Sequence, residues 1–253
     1  MTTIVMVHGA FCAGWAFERF RTTFESQGMT VVAPDLRGHG ADEPGDRVIG
    51  VSMADYAVDI VRLCDELPEP PILVGHSMGG LVAQMAARRA RIEALVLLAP
   101  SPPWGVAGSS IEEAVTAFGV QVMSPLSSGA VEPDHGLMRR YSLDRMPGDE
   151  REAIVARLRP ESGRALREAL NWWLDPFMTT SVGPGPLPVP TLAIAGQHDV
   201  VHPAATVRQV AERIGAAFQV MPDMSHWLPG EPGWDDVAAR VLQWLSDQAR
   251  AAA

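Results

Sequence analysis

Short apolar runs that alternate with amphipathic stretches most narrowly limit what this chain can fold into. Thr3-Ile4-Val5-Met6-Val7, Thr30-Val31-Val32-Ala33, Pro71-Ile72-Leu73-Val74, Ala94 to Ala99, Thr191 to Gly196 and Ala217-Phe218-Gln219-Val220 are the runs. Most are continuously apolar rather than alternating, which is how a strand reads when both faces of a parallel sheet are covered. Between them the spacing predicts helices from Trp15 to about Ser26, from a Ser52 cap to about Glu66, after Ser77 to about Arg89, near Pro203 to Ile214, and from about Pro232 to Ala249. Gly28 is placed to stop the first, and Pro68, Pro70 and Pro71 end the second. Strand and helix in strict rotation give an α/β doubly wound sheet of six strands, mostly parallel and flanked by helices.

The rotation is interrupted between Ser101 and Pro190, where no strand-like run appears. Helical segments are expected near Ile111 to Met123, Gly148 to Arg159 and Ser162 to Leu174, separated by Pro and Gly. Trp172, Trp173, Phe177 and the spaced leucines speak against a disordered linker, so residues 101–189 read as an inserted helical cap and residues 1–100 and 190–253 as the core. The alanine-rich tail is expected to fray.

Composition removes several function classes. A formal net charge of -10 with no Lys/Arg cluster leaves nothing to hold a phosphate backbone, which excludes nucleic acid as a partner. No apolar run approaches the ~20 residues that span a bilayer, and the N-terminus enters a strand at once, so the expectation is a cytoplasmic protein away from membranes. Cys12 and Cys64 are then expected as free thiols. A metal-spaced His/Cys/Asp cluster and a post-strand G-x-G-x-x-G are both missing, so no metal and no cofactor are expected.

The chemistry concentrates at Gly75-His76-Ser77-Met78-Gly79. G-x-S-x-G describes a tight strand-to-helix turn that lifts a serine hydroxyl clear of the sheet, with glycines where a side chain would strike a neighbour. A neutral hydroxyl is a weak nucleophile and needs an imidazole to take its proton and an acid to orient that imidazole. Function in such sheets sits beyond the carboxyl ends of the strands, which admits His8, His39, His76, His198, His202 and His226. His8 and His76 read as local hydrogen-bonding residues, His39 as structural in a glycine-bounded loop, and His135 as a solvated residue of the cap. The Ser, Asp, His chain order that accompanies this kind of elbow favours His226 as base. Asp199, just past the run ending at Gly196, is the candidate acid, while Asp223 better suits a turn. Oxyanion donors should be the backbone N–H groups of Met78 and Ala10.

Taken together, His8-Gly9-Ala10-Phe11-Cys12-Ala13-Gly14-Trp15, Asp35-Leu36-Arg37-Gly38-His39-Gly40, Gly75 to Gly80, Gly196 through Asp199 to Pro203, and His226 resemble the α/β-hydrolase superfamily over essentially the whole chain. The two leading antiparallel strands of that fold are expected to be absent, which would match its compact esterase and hydroxynitrile-lyase branch. The resemblance implies Ser77 as nucleophile, His226 as base and then acid, Asp199 as orienter, and the Ala10 and Met78 amides as oxyanion hole. Haloalkane dehalogenases and most epoxide hydrolases of the fold carry aspartate where this chain has Ser77. The related lyases carry threonine at the place of Gly9 and lysine at that of Trp227. Hydrolysis of a small or medium carboxylic ester through an acyl-enzyme is therefore the expectation, with a small-molecule ester or lactone as the partner. Lactonase, thioesterase and carbon-carbon bond hydrolase remain alternatives with the same three residues, as does a non-hydrolytic ligand-binding receptor. A homodimer is compatible with the sequence. Phe11, Trp104, Met123, Trp172, Trp173 and Trp227 are candidate pocket walls, together with Phe177 and Met138.

Overall fold

The computed structural model describes residues 2–109 and 129–252. Six strands form one sheet: β1 (Thr3–Val7), β2 (Thr30–Val32), β3 (Ile72–His76), β4 (Ala94–Leu98), β7 (Thr191–Gly196) and β8 (Ala217–Met221), in the order β2-β1-β3-β4-β7-β8. All five pairings are parallel, with Val7 opposite Gly75, His76 opposite Leu98, Leu98 opposite Ile194 and Gly196 opposite Met221. The carboxyl ends of the strands therefore open onto one edge. The connection from β1 runs one way to β2 and the next crosses back past β1 to β3, making the crevice between the ends of β1 and β3 a topological switch point.

Because successive strand residues point to opposite faces, each apolar run feeds two cores. Val5, Val7, Leu73, Leu95, Leu97, Ala193 and Ala195 face α2 (Met53–Glu66), α3 (Met78–Ala87) and α6 (Ala204–Ile214). Ile4, Met6, Ile72, Val74, Val96, Leu98, Leu192 and Ile194 face α1 (Glu18–Ser26) and α7 (Trp234–Ala252). This two-sided burial is the reason the runs lack polar alternation.

The helix ends follow their local chemistry. Ser52 caps α2 in a reciprocal box with Asp55, whose side chain accepts the Ser52 N–H at 2.9 Å. Gly215 closes α6 in the left-handed conformation, φ 69°. Three expectations are corrected. Residues 14–17 form a 3-10 turn before α1 begins at Glu18, so the predicted helix starts as two pieces. The expected helix from Gly148 to Arg159 ends at Val155 (α4, Gly148–Val155), ahead of Pro160. The last helix runs from Trp234 through Ala252 instead of ending at Ala249.

Between β4 and β7 the regular structure among the described residues is mainly helical, in short pieces joined by irregular chain. α5 (Gly163–Leu170) is capped by Ser162 and ends at Asn171, after which Trp172–Leu174 form a 3-10 turn instead of continuing the helix. A two-residue antiparallel pairing of β5 (Ala130–Val131) with β6 (Glu161–Ser162) is strand structure that the sequence pattern does not announce. The expected helix from Ile111 to Met123 lies outside the described residues. Among the described residues, no helix is long and apolar enough to cross a membrane.

Candidate active site

Ser77 occupies the junction of β3 and α3 with φ 52° and ψ -124°, a conformation that costs a non-glycine residue strain. Close packing holds it there. A Cβ on Gly79 would strike the carbonyl oxygens of Val7 and His8, so only glycine lets α3 start against the end of β1. The Ser77 amide donates to Leu98 C=O at 3.0 Å, and its own carbonyl accepts from Ser101 N–H at 2.9 Å.

His226 Nε2 lies 3.0 Å from Ser77 Oγ, and its Nδ1 lies 2.9 Å from Asp199 Oδ2. The other carboxylate oxygen of Asp199 accepts the backbone N–H groups of Val201 (2.8 Å) and His202 (2.9 Å), which fixes the carboxylate plane. Gly196 makes the approach feasible: a Cβ there would collide with Ser225 C=O, so the end of β7 can lie directly against the loop carrying His226. Asp199 and His226 are both buried. Burial alone would depress the imidazole pKa, but the Asp199 charge and hydrogen bond outweigh it and hold His226 above its ordinary value of 6.5. Burial likewise opposes ionisation of Asp199, and the facing His226, aided by His202, brings its carboxyl below the usual range.

The remaining histidines divide cleanly. His76 is not a local residue of the elbow: its Nε2 donates to the carbonyl of His226, 2.9 Å away, and burial lowers its pKa to about 3, so it is a neutral prop against His226. His8 Nε2 accepts the Leu36 N–H at 3.0 Å and its Nδ1 meets Gly9 C=O at 2.8 Å, locking together the loops that follow β1 and β2. His39 is buried against Glu161 at 3.1 Å. His202 Nε2 pairs with Ser101 Oγ at 2.8 Å, and its ring stands edge-on to that of His226 with centroids 5.3 Å apart. His198 is partly exposed 3.9 Å from Asp223, and His135 is exposed. Asp223 sits in a turn at φ 58°.

A cavity of about 220 Å³ opens over Ser77. Ala10 and Met78 both line it, as do Phe11, Met138 and Trp227 among the expected walls. Gly9 lies against Ser77, since a Cβ on it would be 3.1 Å from Ser77 Cβ. The segment between β4 and β7 contributes Val131, Leu137, Tyr141 and the α5 residues Leu166, Ala169 and Leu170. Trp104, Trp172 and Trp173 are not among the described residues that line the cavity. Trp104 and Trp172 pack edge to face with centroids 5.4 Å apart, Trp173 is 54% exposed and Phe177 is 86% exposed. Of the neighbouring indoles on the 3-10 turn, neither enters the cores of the sheet. Met123 lies outside the described residues. Cys12 lines the cavity as a buried thiol whose pKa burial raises far above its ordinary value, which makes it inert as a nucleophile, and Cys64 is pushed up to about 12.

Three contributors escape sequence reading. Ser101 is the third residue past β4 and carries no pattern beyond its place at the carboxyl edge. His202 was one of six loop histidines with nothing to mark it. Glu231, in the loop before α7, is fully buried and accepts the Ser225 N–H at 2.5 Å, with its pKa raised to about 7 chiefly by burial.

The family model described as "Alpha/beta hydrolase family" matches residues 4–240. The chain belongs to this family. As an α/β hydrolase it is 26% identical over 254 residues to Epoxide hydrolase 3 of Xenopus tropicalis, an alignment covering 89% of this chain and 66% of that protein, just under two thirds of its length. It is 30% identical over 238 residues to Pyrethroid hydrolase of Sphingobium wenxiniae, covering 87% of this chain and 79% of that protein. Among solved structures, a methylesterase from Arabidopsis superposes with a TM-score of 0.72 over 97% of this chain and 99% of its own, at 20% identity, a likeness that speaks for the fold alone. Hydrolysis is the activity class these relatives support.

Proposed function

We propose that this α/β hydrolase is a serine esterase acting on small carboxylic esters. The observation that carries the reading is the unbroken hydrogen-bond chain from Ser77 Oγ through the His226 imidazole to the Asp199 carboxylate, at the floor of a mostly apolar cavity. His226 Nε2 takes the hydroxyl proton as Ser77 Oγ attacks the ester carbonyl, and Asp199 stabilises the imidazolium that forms. The carbonyl oxygen becomes an oxyanion held by the Met78 and Ala10 amides, at the positive end of α3. Collapse of the tetrahedral intermediate returns the proton to the departing alcohol and leaves an acyl-enzyme. Water activated by His226 then releases the acid by the same steps in reverse order. The segment between β4 and β7 acts as a cap, its α5 and the stretch from 131 to 142 closing the cavity over the reacting carbonyl.

Chemistry weighs against epoxide opening as the main activity. Attack by an elbow carboxylate on an epoxide gives an ester, which water can cleave at its carbonyl. Attack by Ser77 would give an ether, with no carbonyl for water to attack, and the enzyme would stall after one turnover.

The test is stoichiometric labelling by a fluorophosphonate together with turnover of p-nitrophenyl acetate. Ser77→Ala should lose both, and Cys12→Ala should keep the label. Labelling without turnover would replace the esterase reading by a ligand-binding one.

A further inference from the structure

Ser101 and His202 form a second serine-histidine pair in the cavity wall, outside the relay. We propose that this pair is a hydrogen-bonding subsite for a hydroxyl group on the acyl portion of the substrate, so that the preferred esters are those of short hydroxy acids. The inference rests on the esterase reading above and adds the substrate class to it.

The pair is built into the site by its backbone. Ser101 N–H donates to the carbonyl of Ser77 at 2.9 Å, and His202 N–H donates to Asp199 Oδ1 at 2.9 Å. Each member is thus pinned to one member of the proposed relay, and their side chains meet at 2.8 Å. Gln84 Nε2 donates to Ser101 C=O at 3.2 Å, fixing the loop from its far side. Both residues are buried and both line the cavity over Ser77. A polar pair held this firmly in a mostly apolar wall is the arrangement by which pockets orient a ligand, since a few placed polar groups carry specificity while the apolar area carries affinity.

The chemistry of the pair selects the ligand. If Ser101 O–H donates to His202 Nε2, both lone pairs of Oγ are left to accept. If His202 Nε2–H donates instead, Oγ keeps one lone pair and a proton to give. In either tautomer Ser101 Oγ can accept from a hydroxyl, whereas it can donate to a carbonyl in only one. A carboxylate is a poor fit, because no Lys or Arg is among the described residues lining the cavity, while Glu132 and Asp134 are. A neutral hydroxyl donor satisfies all of these conditions.

The experiment compares ethyl butyrate with ethyl 2-hydroxybutyrate and ethyl 3-hydroxybutyrate in a pH-stat, on wild type, Ser101→Ala and His202→Phe, with fluorophosphonate labelling of Ser77 alongside. Wild type should favour one hydroxy ester over ethyl butyrate by roughly tenfold in kcat/KM, the scale of one hydrogen bond. Ser101→Ala should bring that ratio to about one, mostly through kcat/KM of the hydroxy ester. Equal turnover of all three esters by wild type overturns the subsite and leaves the esterase standing. So does a preference that survives Ser101→Ala. Absence of both turnover and labelling in wild type overturns the two together. If Ser101→Ala fails to fold, His202→Phe, which removes the partner that orients Ser101 Oγ, carries the same reading: a ratio near one supports the subsite and an unchanged ratio overturns it.

Discussion

Glu231 reaches back across its loop to accept the backbone N–H of Ser225 at 2.5 Å, one residue before His226. The same residue's backbone N–H is bound to Trp227 C=O at 2.9 Å, so the turn carrying the proposed base is tied from both sides. Glu231→Ala would leave a buried N–H without an acceptor, at a cost of about 1–3 kcal/mol. A drop in kcat exceeding any change in KM is expected, because the loss loosens His226 rather than the cavity wall. Glu231→Gln keeps an acceptor and removes the titration. The folded pKa of about 7 lies above the ordinary 4.5, so the folded state holds the proton more tightly and Glu231 becomes a liability as pH rises between these values. The Tm of Glu231→Gln relative to wild type should therefore climb from pH 4.5 to pH 7.5, and a flat difference would refute the buried, protonated carboxyl.

As the proposed base, His226 must be neutral to accept the Ser77 proton, and Asp199 holds its pKa above 6.5. Esterase turnover should accordingly rise with pH through a value above 6.5 and then level. Asp199→Asn removes the charge that outweighs burial, and burial then drives the imidazole below 6.5. In that variant the acid limb of the kcat/KM profile should move to lower pH while the plateau falls by about four orders of magnitude. An acid limb that stays in place would mean that Asp199 does not face the base in solution.

Gly79 and Gly148 make a paired test of the elbow. A methyl group at Gly79 meets the backbone carbonyls of Val7 and His8, atoms that cannot swing aside. Gly148, the first residue of α4, has nothing within 4 Å and no positive φ. Gly79→Ala should lose activity and fold poorly by circular dichroism, whereas Gly148→Ala should raise stability by about 0.5–1 kcal/mol through the reduced entropy of the unfolded chain. Equal behaviour of the two would remove close packing as the reason for the glycine.

These residues also mark what could be read in advance. The strands were legible because burial on two faces leaves its print within each run, and the meeting of Ser77, Asp199 and His226 because each follows the carboxyl end of a strand. The cavity wall was not legible. Trp172 and Trp173 follow Asn171, which leaves helical geometry at φ -119° and ψ 44° and turns the indoles away from the cavity. Ser101, His202 and Glu231 take their places from partners far along the chain or from a loop with no period, and no window of sequence contains that information.

The same is true of Glu161, whose partners His39 and Tyr56 stand 122 and 105 residues away. One carboxylate oxygen lies 3.1 Å from His39 Nε2 and the other accepts the Tyr56 hydroxyl at 2.7 Å and the Ser162 N–H at 2.7 Å, all within the protein interior. This buried network fastens the segment between β4 and β7 to the loop after β2. Burial works against both charges, yet each sustains the other: the carboxylate lifts His39 above 6.5, and the imidazolium, with the hydrogen bonds, keeps Glu161 below 4.5. The His39 contribution is complete below pH 6.5 and is lost as pH rises through its raised folded value. The Glu161 contribution is complete above pH 4.5 and is lost as pH falls through its depressed folded value. Between about pH 4.5 and 6.5 both are present. His39→Gln should therefore lower Tm most in that window and progressively less toward pH 9, where wild type has also lost the imidazolium. Glu161→Ala, which strands His39 and Tyr56 together, should cost about 3–5 kcal/mol at pH 5.5 by chemical denaturation. A deficit for His39→Gln that does not change with pH would show that the pair is held by neutral hydrogen bonds alone.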